Sequence, residues 1–202
     1  MKRTMLDIES LGTAPGFIVL SIGAVSFDET GRVNIDKTTS IAAGLKLDPV
    51  TAAWWRQQSK EAQAALLVDP KPLAKALDAF RIWFFKQDAP TVWCQGASFD
   101  APVLEGAFDA AGVEVPWKFW NVRDTRTVYD LFDFDTRTVA RGGAKHNALD
   151  DARHQVRLLT AALRNGRKPV AAPAPKAEPV RDDKHFDDAM ANDIFDMGDI
   201  FE

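Results

Sequence analysis

At 202 residues, 46% hydrophobic and 27% charged, the chain can bury a sizeable core, and no run in it approaches the roughly 18 apolar residues of a membrane span. The net charge of −4 lies entirely in residues 167–202, which hold 5 basic and 9 acidic side chains against 20 of each in residues 1–166, so a strongly basic nucleic-acid-coating body is excluded. Cys94 is the only cysteine, which excludes an internal disulfide and suits a reducing cytoplasm, and Asp7 and Glu9 break the apolar stretch that a signal peptide starting at Lys2 and Arg3 would need.

In chain order, short apolar runs over 4–9, 17–27 and 32–41 read as three strands joined by turns bearing Gly and Asp, and three strands in succession predict an antiparallel meander. Asp48-Pro49 is a cap and first-turn start for a helix carrying Trp54 and Trp55. Residues 70–86 carry an apolar stripe through Leu73, Leu77, Phe80 and Phe84. A buried strand over 91–95, a helix over 100–111 stopped by Gly112, and a fifth strand over 119–122 follow. A last helix over 147–164 stops at Asn165-Gly166. The globular domain is therefore expected over 1–166. Beyond it lie a Pro- and Ala-rich linker, 167–180, and an acidic tail, 181–202, which repeats Asp-Ile-Phe at 193–195 and 199–201. The tail reads either as a disordered solubilising extension or as a peptide that docks on a protein partner.

Five side chains stand out by position. Side chains at i and i+2 of a strand share a face, so Met5, Asp7 and Glu9 line one side of the first strand while Leu6 and Ile8 line the other. Two carboxylates that close repel unless they are protonated or neutralised by a hard cation, although an Asp-x-Glu pair can also mark a strand end reaching solvent. Asp100 can cap its helix, yet it begins on the side of the stripe Val103, Leu104, Ala107 and Phe108 that should face the sheet. With Asn147 as N-cap, Asp150 takes the third helical position, where an acid favours the helix dipole and can close a capping-box contact. Asp151 instead leads to Gln155, Leu158 and Ala162 on the buried seam and is the better ligand. His146 lies ahead of the cap on a loop beside Arg141, Gly142, Gly143 and Lys145. That basic loop can hold phosphate or be an ordinary turn. Trp54 and Trp55, about 100° apart on a helix, cannot both face the core, so one is either a base-stacking platform or a packing residue. Cys94 reads as a small buried hydrophobe.

Taken together, Asp7-x-Glu9, Ser98-Phe99-Asp100 and His146-x4-Asp151 resemble the three motifs of the DEDDh exonucleases. Residues 16–27, 53–59, 115–121 and 123–126 further resemble the branch of phage exodeoxyribonuclease VIII-like proteins and the exoribonuclease RNase AS; the likeness covers about 4–164. It implies an α/β fold of the RNase H-like kind, a mixed five-stranded sheet flanked by helices. It also implies a two-metal-ion 3′-to-5′ exonuclease that releases nucleoside 5′-monophosphates from single-stranded 3′ ends, with DNA placed ahead of RNA from the phage-like branch. In that scheme Asp7, Glu9, Asp100 and Asp151 hold two Mg2+ or Mn2+ ions and His146 is the base. Ser10, Leu11, Trp54, Trp55, Phe99, Arg141 and Lys145 are the candidate substrate contacts, with Leu11 either wedging against the terminal base or simply packing. Homodimers are implied as well. The competing expectation is a non-catalytic nucleic-acid-binding or scaffold module on the same fold, recruiting partners through its tail.

Overall fold

The alternation that places Leu6 and Ile8 opposite Met5, Asp7 and Glu9 builds β1 (Arg3–Ser10). The computed structural model describes residues 2–31, 33–41 and 45–166, so the expectations for 167–202 and for the first residue of the third strand lie outside the described residues. β2 (Val19–Phe27) pairs antiparallel with β1, setting Asp7 opposite Gly23 and Glu9 opposite Ser21, and β3 (Val33–Ile41) pairs antiparallel with β2. This is the expected meander. β4 (Lys71–Pro72) adds two residues parallel to β3, and it stops there because Pro72 has no N–H to extend the ladder. On the other side of β1 lie β5 (Thr91–Cys94), parallel to it, and β6 (Val122–Asp124), parallel to β5. The order is β4-β3-β2-β1-β5-β6.

The expected count of five strands is therefore corrected. Four strands of four to nine residues, β1, β2, β3 and β5, form the sheet proper, and edge strands of two and three residues flank them. The predicted strand over 119–122 is displaced as well. Phe119–Asn121 form a single 3-10 turn, in which Asn121 N donates to Lys118 O at 2.8 Å, and pairing starts only at Val122. Phe119 and Trp120 suit a strand by propensity, but β-propensity acts through packing against neighbours, and both rings are exposed here.

α1 (Pro49–Trp55) starts as predicted, with the Asp48 carboxylate accepting from Val50 N and Thr51 N at 3.1 and 3.0 Å. α2 (Lys60–Ala65), capped by Ser59, has no counterpart in the sequence reading. α3 (Leu73–Gln87) buries the predicted stripe, and α4 (Asp100–Ala110) buries Val103, Leu104, Ala107 and Phe108 and ends at Gly112, whose φ is 63°. α5 (Thr125–Leu131), capped by Asp124, also had no counterpart, and α6 (Ala148–Gly166) is the longest element at 19 residues. One face of the sheet, through Leu6, Ile8, Ile22 and Val92, packs on α3 and α4, and the other, through Met5, Val25 and Phe27, packs on Ala152, Val156 and Leu159 of α6. The acids on β1 thus share the α6 face with Met5. Gly23 sets how close α6 comes: a Cβ built there would lie 2.1 Å from the Ala148 carbonyl carbon, so the start of α6 rests on bare β2 backbone. No helix among the described residues is long and apolar enough to cross a membrane.

Candidate active site

Three elements deliver carboxylates to one end of the sheet. β1 supplies Asp7 and Glu9. α4 supplies Asp100, its first residue, whose Oδ1 accepts a hydrogen bond from Ile8 N at 3.3 Å instead of capping its own helix. Glu9 and Asp100 are 8% and 3% exposed, so Glu9 is not a strand end reaching solvent, while Asp7 is half-buried. α6 supplies Asp151 and, one turn on, Gln155, whose Nε2 donates to Asp7 Oδ1 at 2.6 Å.

The electrostatic cost of this arrangement is plain in the protonation of the acids. Burial, then the neighbouring Asp100 and Glu9, hold the Asp7 carboxyl well above the usual range, with Gln155 and Arg141 acting in the opposite direction. Burial and Asp100 push Glu9 up to about 8, and burial pushes Asp100 up to about 7 against the hydrogen bond from Ile8 N. Three neighbouring carboxyls that resist ionising together are a set of hard oxygen donors short of positive charge. One ligand atom each from Glu9, His146 and Asp151 falls within 4.8 Å of the others. Gln155 Oε1 beside Asp7 is buried without a hydrogen-bond partner, a further oxygen that a hydrated ion can satisfy. The donor set fits a divalent cation.

Asp150 and Asp151 are similarly accessible, their side chains 23% and 17% exposed, so burial alone does not separate them. Direction does. Asp150 Oδ2 accepts from Ala144 N at 3.1 Å and its Oδ1 pairs with Arg153 at 2.9 Å, so it ties the 141–146 loop to α6 in place of the expected capping-box contact. Asp151 faces Glu9 and His146 and pairs with the Arg141 guanidinium. Asn147 caps the helix as predicted, its Oδ1 accepting from Asp150 N at 3.3 Å.

His146 precedes that cap with a positive φ of 58°, a left-handed backbone that turns the imidazole back toward α1. Its ring lies edge-on to Trp54, with centroids 4.8 Å apart, and to Trp55 at 6.2 Å. Burial, then the charges of Arg141 and Lys145, lower its affinity for a proton, so the imidazole is neutral at neutral pH and able to accept one.

Beside the acids opens a groove of about 380 Å³ lined by Glu9, Ser10, Thr51, Trp54, Trp55 and Phe99 among others. The two tryptophans divide their work as the helix angle requires. Trp55 is 6% exposed and its Nε1 donates to Ser10 O at 2.9 Å, while Trp54 is 40% exposed on the groove wall. Of the remaining candidates, Arg141 reaches the acids, whereas Lys145 is exposed on the loop and acts on His146 only through its charge. Leu11 is not brought to the acids; it lines a separate cavity of about 270 Å³ with Leu20, Leu66 and the far side of Trp55. Cys94 is buried, as expected of a small hydrophobe. Two contributors escaped the sequence reading. Gln155 had a signal, a polar side chain on the buried seam one turn after Asp151. Thr51 had none.

Against this geometry, a family model described as the 3'-5' exoribonuclease Rv2179c-like domain matches residues 2–163. The chain belongs to this family. An exodeoxyribonuclease of Enterobacteria phage T4 is 24% identical to it over 201 residues, spanning 79% of this chain and 88% of the relative. The nuclease domain of 3'hExo, a DEDDh family member solved with rAMP, superposes with a TM-score of 0.57 at 11% identity, covering 82% of this chain and 92% of that one. Exonuclease X, solved with 5′ overhanging duplex DNA, superposes with a TM-score of 0.53 at 17% identity, covering 80% and 90%. The fold read from the motifs stands, since the nuclease domain of a DEDDh family member superposes on it, and the exonuclease family they pointed to is the one whose model matches. The protein is a 3′-to-5′ exonuclease, and the non-catalytic module is set aside. Use of a divalent cation follows from the family in general and agrees with the donor set of this exonuclease.

Proposed function

We propose that this exonuclease removes nucleotides one at a time from the 3′ end of a single strand and releases nucleoside 5′-monophosphates. The reading is carried by one observation: Glu9 and Asp151 meet a neutral His146 beside an aromatic groove, with buried Asp100 and half-buried Asp7 close enough that Asp100 raises the proton affinity of both Asp7 and Glu9. Asp7, Glu9, Asp100 and Asp151 would hold two Mg2+ or Mn2+ ions, whose chemistry when bound is to make the attacking water more acidic and to offset charge building on the phosphate and on the leaving 3′ oxygen.

The chain's own residues supply the rest. His146 Nδ1 or Nε2 accepts the proton of the water as its oxygen bonds to phosphorus; the phosphorus–O3′ bond breaks, and the 3′ oxygen leaves and is protonated from solvent. The Asn147 cap and the two indoles hold the imidazole in place before substrate arrives, so little reorganisation is left for the reaction itself. Trp54 and Phe99 line the groove and offer aromatic faces on which an unpaired terminal base would stack. Arg141, now paired with Asp151, sits within reach of a phosphate once cations occupy the acids.

DNA is the polymer we put first, on the kinship with the phage T4 exodeoxyribonuclease. RNA is the second reading, favoured by the family's description as an exoribonuclease domain. Matched single strands of DNA and RNA, labelled at the 5′ end and incubated with and without Mn2+, test both. The expected result is a metal-dependent ladder that shortens from the 3′ end, faster on DNA. Intact label in the presence of metal would overturn the mechanism, and a faster ladder on RNA would overturn the choice of polymer.

A further inference from the structure

The turn Phe119–Asn121 is spent on no part of the active site described above, yet it displays the most exposed large aromatic pair among the described residues. Phe119 and Trp120 are 79% and 58% exposed and meet edge to face, with centroids 4.8 Å apart. The core does not need them. Trp117, two residues earlier, is buried among Phe80, Phe84 and Phe108 and donates its Nε1 to Glu105 at 2.8 Å, so one indole anchors the segment and the next two rings point outward. The backbone beneath them is braced on both sides: Asn121 N bonds to Lys118 O, and the Arg123 guanidinium donates to the carbonyls of Trp120 and Val122. Two large apolar rings held rigidly in water mark a contact surface.

The neighbouring charges say what kind. Lys118 immediately before the pair and Arg123 just after it are both exposed cations, so within six residues two rings are bracketed by two positive charges. A protein core or an apolar helix gains nothing from that bracket. A single-stranded nucleic acid does, because its bases present stackable faces and its phosphates present negative charge at every step. The fold also connects the turn to the chemistry. β6 begins directly after it and runs parallel to β5, and at its end the Asp124 carboxylate accepts from Ala97 N at 2.9 Å, three residues before Asp100. Trp120 and Asp124 are four residues apart, a span of at most about 14 Å along an extended chain. The rings therefore lie a strand's length behind the acidic end, a separation that a few nucleotides can cross.

We propose that Phe119 and Trp120, with Lys118 and Arg123, form a second platform that grips the single strand upstream of its reacting 3′ end. This rests on the reading of the substrate as a single strand. The experiment compares wild type with the Phe119→Ala/Trp120→Ala double variant and with Trp120→Phe on thymidylate or uridylate oligomers, a trimer and a dodecamer, measuring KM and kcat with Mn2+. Anisotropy of the labelled dodecamer is measured in parallel without metal. For the double variant we expect a rise of about tenfold or more in KM on the dodecamer, kcat and the trimer unchanged, and an equal loss in metal-free binding, with Trp120→Phe close to wild type. Equal effects on both lengths, or no effect on either, would overturn the platform. So would sedimentation showing that the double substitution splits a wild-type dimer while length dependence persists, which would assign the face to a second copy. If wild type cleaves neither oligomer, the proposed function fails, but loss of metal-free dodecamer binding in the double variant still supports the platform and its retention still overturns it.

Discussion

Asp150 and Asp151 are adjacent, similarly accessible and chemically identical, and they separate only by which way α6 turns each one. Asp151→Ala is expected to abolish metal-dependent cleavage with little change in melting temperature. Asp150→Ala is expected to keep substantial cleavage and lose on the order of 1 kcal/mol of stability through the freed 141–146 loop, measured by denaturant unfolding. A dead Asp150→Ala with an active Asp151→Ala would reverse the assignment. Gln155 permits a subtler trial. Its amide holds one oxygen of Asp7, so Gln155→Leu, similar in volume, should weaken Mn2+ binding about tenfold by calorimetry while the fold survives. The acids were legible in the sequence because strand and helix periods fix a side chain's direction within a known element. The pairing of Arg141 with Asp151 was not, because a loop has no period and its course depends on contacts such as Asp150 to Ala144.

α6 carries both Asp151 and Gln155, and His146 leads into it, so its seat on the sheet decides the geometry of the site. Gly23 determines that seat. Gly23→Ala would force a methyl group into the Ala148 backbone, and the expected result is a loss of about 1–3 kcal/mol of stability with a drop in kcat that exceeds the change in KM. Wild-type kcat in a folded Gly23→Ala protein would show that α6 can shift without harm. At this scale the long elements were legible: β1, β2, α3, α4 and α6 bury a stripe or face for long enough that its period shows. α2 and α5, six and seven residues long, hardly complete two turns, and β4 and β6 exist only through the strands they meet. The antiparallel order of β1, β2 and β3 could be read because neighbours in the chain are neighbours in the sheet. The extra edge strand could not, since nothing local to Lys71 and Pro72 announces a partner thirty residues back.

For the whole molecule, the raised acids make stability depend on pH in a definite direction. A carboxyl whose affinity for a proton is higher in the folded state keeps that proton where the unfolded chain has released it, so the metal-free protein loses stability as pH rises from the ordinary carboxyl range, about 4, toward about 8. A divalent cation neutralises the same acids and should remove the loss. The melting temperature in EDTA is expected to fall between about pH 5 and pH 8, and the gain from Mn2+ to grow over the same interval. A gain independent of pH would mean the acids are not the binding site. Removing residues 168–202 is expected to leave cleavage of short oligonucleotides intact, since every side chain invoked in the chemistry lies before them; a collapse of activity in the truncated enzyme would refute that.

The central strand and the last helix of the domain hold the two halves of one active site, Asp7 and Glu9 within the first ten residues and Asp151 and Gln155 some hundred and forty later. A fragment of the domain that stops short of α6 therefore holds only part of the donor set. The site forms only where β1 and α6 meet over Gly23, so metal-dependent cleavage is expected to need both elements docked.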